Sequence, residues 1–230
     1  MAPRRAVTIW DWTLVVLPFT AVITFLVTII ACNLVSNSGG SPLQISQLAS
    51  DSAYVYFTVG FALLFPQIIT IIIGRLQYLL ESQNTINRVL LCIAHGVTLI
   101  PFVFMVIVSL VKGGSRSDAH LLASYGIFGS IALYCLLHTI AVFYLYFRKT
   151  SGYYYTKIYL PIWFLVCCLV FIGSLGTWSA NNGTILGYIT AAAPFLYFLG
   201  YVPQFLARAR SKKRYSAVSR LDRVLDSLNG

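Results

Sequence analysis

The chain has 230 residues, of which 58% are hydrophobic and only 10% charged, and its mean hydropathy is +0.80. A soluble domain carries about 25% charged residues to cover its watery surface, and this chain has only 16 basic and 6 acidic side chains to do so. The composition excludes a soluble enzyme, a disordered tail, a disulfide scaffold and a nucleic-acid binder despite the net charge of +10, and leaves an all-α, polytopic membrane protein.

About 20 apolar residues cross the ~30 Å hydrocarbon core as a helix. Six such stretches occur, at 12–34, 54–74, 89–111, 121–147, 158–175 and 185–207, and none contains Asp, Glu, Lys or Arg. Residues 1–207 are therefore expected to form a six-helix transmembrane domain and 208–230 a basic tail. The N-terminus, 75–88, 148–157 and 208–230 hold fourteen of the Lys and Arg residues, whereas 35–53, 112–120 and 176–184 hold only Lys112 and Arg116. The bias places both termini in the cytoplasm. The first apolar segment is too long for a signal peptide's core and lacks a small-residue cleavage site, so no cleavable leader is expected. Prolines punctuate five spans (Pro18, Pro66, Pro101, Pro161, and Pro194 with Pro203), and kinks are expected there.

All five cysteines (Cys32, Cys92, Cys135, Cys167, Cys168) fall inside spans without CxxC spacing, which reads as small core residues. No metal site and no cofactor are expected. At ~1.5 Å rise per residue, Gln67, His95 and His138 lie about 10, 9 and 13 Å inside the cytoplasmic ends of spans two, three and four, and Tyr134 is one turn from His138. Lipid satisfies none of these groups, so they should point into the bundle. Two readings stay open: interhelical hydrogen-bond glue, and a lipid or substrate pocket. No carboxylate accompanies the histidines, which weighs against proton-coupled transport and intramembrane hydrolysis. Asp118 and His120 stand two apart at the exterior mouth of span four, and Asn182-Gly183-Thr184 is the one N-glycosylation sequon, on the exterior side.

After span six, Arg208, Arg210, Lys212, Lys213 and Arg214 put five cations in seven residues against the inner leaflet, a candidate contact for anionic lipid such as phosphoinositides. Val218, Leu221, Leu225 and Leu228 then recur at helical spacing, as in a short helix lying on the membrane surface.

Four motifs resemble the Frag/DRAM/Sfk superfamily of six-span proteins, most of all its DRAM (damage-regulated autophagy modulator) branch. They are Ser36-Asn37-Ser38-Gly39-Gly40-Ser41-Pro42 followed by Ile45-Ser46; Asn87-Arg88 opening span three; His120 at the mouth of span four with Phe128-Gly129, Leu133-Tyr134 and Thr139-Ile140 beyond it; and Ile189-Thr190-Ala191-Ala192-Ala193 in span six. Where many members carry a Glu after that alanine run, this chain has Ala193-Pro194, so no intramembrane acid is carried over. The resemblance implies a non-enzymatic membrane protein that modulates autophagy or membrane lipid state in lysosomal, endosomal or plasma membrane. The Frag-like branch implies an alternative, GPI-anchor lipid remodelling in the Golgi. A channel or transporter is a further alternative. Membrane lipids are the expected partners.

Overall fold

The computed structural model describes residues 4–36, 51–110, 118–148, 157–181 and 183–211. Among these, every regular element is helical, and six helices are long and apolar enough to cross a membrane: Ile9–Val35, Tyr54–Ser82, Arg88–Val108, Leu122–Phe147, Tyr159–Asn181 and Thr184–Ser211. The protein is an integral, multi-pass membrane protein. Large apolar side chains such as Ile23, Val27, Ile30 and Leu169 point outward, as they must where the surrounding solvent is hydrocarbon.

The first span is α1 (Arg4–Val35) and the second α2 (Tyr54–Ser82). The third is broken into α3 (Arg88–Gly96) and α4 (Ile100–Leu110). The fourth and fifth are α5 (Asp118–Phe147) and α6 (Tyr159–Asn181). The sixth comprises α7 (Thr184–Leu199) and α8 (202–211). Neighbours in sequence are neighbours in space: α1 packs along α2, α4 along α5, α5 along α6 and α6 along α7, while α1 also meets α7 and closes the bundle. The short α2–α3 connection is held by its own side chains. Gln83 Oε1 accepts from the amides of Thr85 (2.7 Å) and Ile86 (2.8 Å), and Asn87 caps α3 by accepting from the Val89 amide at 2.8 Å.

The prolines do not act alike. Pro18, Pro66 and Pro194 sit inside continuous helices. Pro101 has no amide hydrogen for the carbonyl four residues back, and there the chain tightens into a single 3-10 turn, Val97–Leu99. Pro203 does the same to Leu199: the amides of Gly200 and Tyr201 reach back only three residues, to Tyr197 and Phe198, before α8 resumes.

Two boundaries differ from the sequence expectation in a way that matters. The second span does not stop at Gly74 but runs on to Ser82, so Arg75 is a helix residue and not a loop cation. The sixth runs past Ala207 to Ser211, so Arg208 belongs to the folded bundle and not to a free tail. Without Arg75 the charge count is still thirteen against two.

Candidate functional site

On the side of the bundle where α1 begins and α8 ends, four spans bring polar groups to one place and a fifth adds an aromatic wall. Its centre is Arg75 on α2, whose side chain is fully buried. Its Nε donates to His138 Nε2 at 2.8 Å, and its Nη1 donates to Gln204 Oε1. The guanidinium also lies over the rings of Tyr201 (4.9 Å to the centroid) and Tyr78 (5.4 Å).

The arginine dictates the state of the histidine beside it. A guanidinium only donates, so His138 Nε2 must accept and Nδ1 carries the proton. That proton goes to Tyr197 Oη, 2.7 Å away. Tyr197 in turn donates to the Cys135 carbonyl at 3.0 Å and accepts from Thr139 Oγ1 at 2.9 Å. One phenol oxygen thus uses its single proton and both lone pairs. A turn further along, Tyr201 Oη and Tyr134 Oη are 3.0 Å apart. His95 stacks edge-on against Tyr134 (5.4 Å between ring centroids) and His138 (6.2 Å), and its Nδ1 donates to the Leu91 carbonyl at 2.9 Å. Phe164 of α6 covers the His138 ring at 5.0 Å.

Among the described residues, three buried polar atoms of this centre have no hydrogen-bond partner: Arg75 Nη2, Gln204 Nε2 and His95 Nε2. The hydrogen bonds of Arg75 go to neutral groups. Arg208, by contrast, is buried at the terminal end of the bundle between two carboxylates, with its Nε 2.9 Å from Asp11 Oδ1 and its Nη2 3.0 Å from Glu81 Oε1.

The structure therefore brings Tyr134, His138 and His95 together and leaves Gln67 out. Gln67 lies at the α1–α2 seam, where its amide donates to Thr24 Oγ1 (3.1 Å) and accepts from Thr20 Oγ1 (3.1 Å). Arg208, expected to face anionic lipid, is instead consumed by Asp11 and Glu81, while Arg210 is exposed. Cys92 faces outward, whereas Cys32, Cys135, Cys167 and Cys168 are buried. Asp118 and His120 fall in the first turn of α5, and their side chains, like Asn182, Lys212, Lys213, Arg214 and the apolar stripe of 215–228, lie outside the described residues.

Four residues of the centre escaped the sequence reading: Arg75, Tyr197, Tyr201 and Gln204. A signal existed for three of them. Tyr197, Tyr201, Gln204 and Arg208 recur at helical spacing on an otherwise apolar span. For Arg75 there was none, because a cation at the end of an apolar stretch reads as the edge of the membrane.

Two spaces adjoin the centre. An apolar cavity of about 70 Å³ lies toward the other face, among Phe25, Phe57, Phe128, Trp178 and Phe195. A groove of about 310 Å³ opens to the lipid side between α2 and the α3–α4 break, and His95 forms part of its wall. Among the described residues, no three His, Cys, Asp or Glu side chains are grouped to hold a metal ion. Comparison with protein-family models, with curated proteins and with solved structures returns no match.

Proposed function

We propose that this chain is a non-enzymatic membrane protein of the Frag/DRAM/Sfk type, which modulates membrane lipid state, and with it autophagy, in an endolysosomal or plasma membrane. The motif resemblance in the first exterior loop and in spans three, four and six supports the family reading. One structural observation carries the lipid reading. A fully buried arginine, surrounded by neutral hydrogen-bond partners and open donors, occupies the half of the bundle where lipid headgroups are near. Such a centre is suited to holding an anionic group. The Tyr, His and Gln side chains around it bond one another and the backbone, an arrangement that fixes geometry.

The Frag-like alternative, remodelling of a GPI-anchor lipid, draws on a different observation: the aromatic-lined cavity in the opposite half, whose walls suit an acyl chain. One experiment separates the two. The purified protein is reconstituted in liposomes with fluorescent phospholipids and with a labelled GPI lipid, and redistribution between leaflets and chemical turnover are both followed. Redistribution or sorting of phospholipid without turnover is expected. Turnover of the GPI lipid would shift the assignment to the alternative, and neither activity would end the lipid reading.

A further inference from the structure

Two buried arginines in one bundle have been treated in opposite ways. Arg208, close to the terminal end, is neutralised by Asp11 and Glu81. Arg75 is deeper and fully buried, and among the described residues its hydrogen bonds go to His138 and Gln204. A cation withdrawn from water is stable when an anion and the remaining hydrogen bonds are supplied. Within the centre, what is left over is mostly donor: Arg75 Nη2 and Gln204 Nε2 are both N–H groups without acceptors among the described residues. The bond from Nη1 to Gln204 Oε1 keeps those two groups side by side. A planar guanidinium with free N–H groups is matched to the several oxygens of a phosphate.

A membrane-facing groove approaches the centre and stops at His95, short of Arg75 itself. The groove between α2 and the α3–α4 break is lined on α2 by Ile72, three residues before Arg75, and Leu76, the residue after it, and on the other side by Cys92, His95 and Leu99. Ile73, Cys92 and Leu99 are exposed at its edges, so its mouth faces hydrocarbon, whereas His95 is buried at its base. His95 Nε2, the third buried atom without a partner among the described residues, stands between the groove and the centre. The break itself follows from Pro101, which spoils helical pairing at Val97 and separates α3 from α4 just where the groove opens. The surroundings are apolar and membrane-facing, which fits an amphipathic visitor and not a hydrated ion.

We propose that Arg75 is the receptor for the phosphate of a phospholipid, which enters sideways from the leaflet on the side where α1 begins and α8 ends, lays an acyl chain along Ile69, Ile73 and Phe102, and places its headgroup past His95 onto Arg75 and Gln204. The inference rests on the reading that the protein acts on membrane lipid, and it names the chemical group engaged.

The test uses the full chain purified in detergent, with binding read by native mass spectrometry and by the thermal unfolding midpoint. The probes are dioleoyl phosphatidic acid, dioleoylglycerol, which has the same chains without phosphate, and inorganic phosphate. Wild type should bind the phosphatidic acid at least about tenfold more tightly than the diacylglycerol. Arg75→Gln should erase that preference, and Arg75→Lys should restore part of it, because a point charge replaces the fork. Gly96 lines the groove, and a side chain added there meets nothing within 4 Å. Gly96→Leu should therefore fold normally and exclude lipid while leaving Arg75 untouched. An unchanged phosphate preference in a folded Arg75→Gln protein would overturn the proposal. So would inorganic phosphate protecting wild type and Gly96→Leu equally, since that would be a small-anion site without a lipid route. The same variants go into the liposome assay. Redistribution that persists without any Arg75-dependent binding would sink this inference alone, whereas Arg75-dependent binding without redistribution would uphold the site and sink the broader reading.

Discussion

Tyr197 and Tyr201 are one turn apart, are both fully buried and both present a hydroxyl to the polar centre, yet removing that hydroxyl should have unequal consequences. Tyr201 Oη has Tyr134 as its partner, 3.0 Å away. Tyr197 Oη serves His138 Nδ1 at 2.7 Å, Thr139 Oγ1 at 2.9 Å and the Cys135 carbonyl at 3.0 Å. Tyr201→Phe removes one hydrogen bond and leaves the buried Tyr134 hydroxyl alone, a cost at the low end of the ~1–3 kcal/mol for an orphaned buried group. In Tyr197→Phe the Thr139 hydroxyl can turn back to the carbonyl four residues earlier and recover its bond. His138 has no such escape, because Arg75 holds Nε2 as the acceptor and leaves the Nδ1 proton buried with no partner. Tyr197→Phe breaks three bonds at one oxygen and leaves that donor unpaired, so it should destabilise by about 2–3 kcal/mol, against about 1 kcal/mol at Tyr201. Equilibrium unfolding in mixed micelles with rising SDS measures both. Equal losses, or a larger one for Tyr201→Phe, would refute the assigned tautomer and the hub role of Tyr197.

The Asp11–Arg208 pair should couple: in a double-mutant cycle with Asp11→Asn and Arg208→Gln, the interaction energy should exceed about 1 kcal/mol, and additive losses would show that the buried pair is not holding α1 to α8. A side chain at Gly200 would begin 2.6 Å from atoms of Phe164 and Trp163, so Gly200→Leu should destabilise by about 1–3 kcal/mol, whereas Gly96→Leu should be neutral or stabilising; the same unfolding assay ranks them. A lipid-soluble maleimide should modify folded protein at Cys92 ahead of Cys32, Cys135, Cys167 and Cys168, as peptide mapping will report, and fast modification of Cys135 would contradict its place in the core. A single cysteine at position 212 should react with an impermeant reagent only from the cytoplasmic side; labelling from the exterior would reverse the orientation drawn from the charge bias.

The number of spans and their places along the chain were legible in the sequence, because a bilayer's thickness demands a fixed length of apolar helix and forbids unpaired backbone within it. Depth was legible for the same reason: rise per residue put His95, Tyr134 and His138 in one layer, and the bundle brings them together. Direction around each helix was not. Gln67 shares their depth but belongs to the seam with α1, where Thr20 and Thr24 meet it. Cys92 looks outward from a span whose His95, three residues on, looks inward. Arg75 and Arg208 read as loop and tail cations because hydropathy records where charge interrupts an apolar run, not where the side chain then turns. Whether a proline kinks or breaks a span was equally hidden: Pro66 is carried by a continuous helix, whereas Pro101 and Pro203 lie at breaks. Those outcomes depend on which neighbouring helix is packed against each face, and that is settled only when all six spans pack against one another.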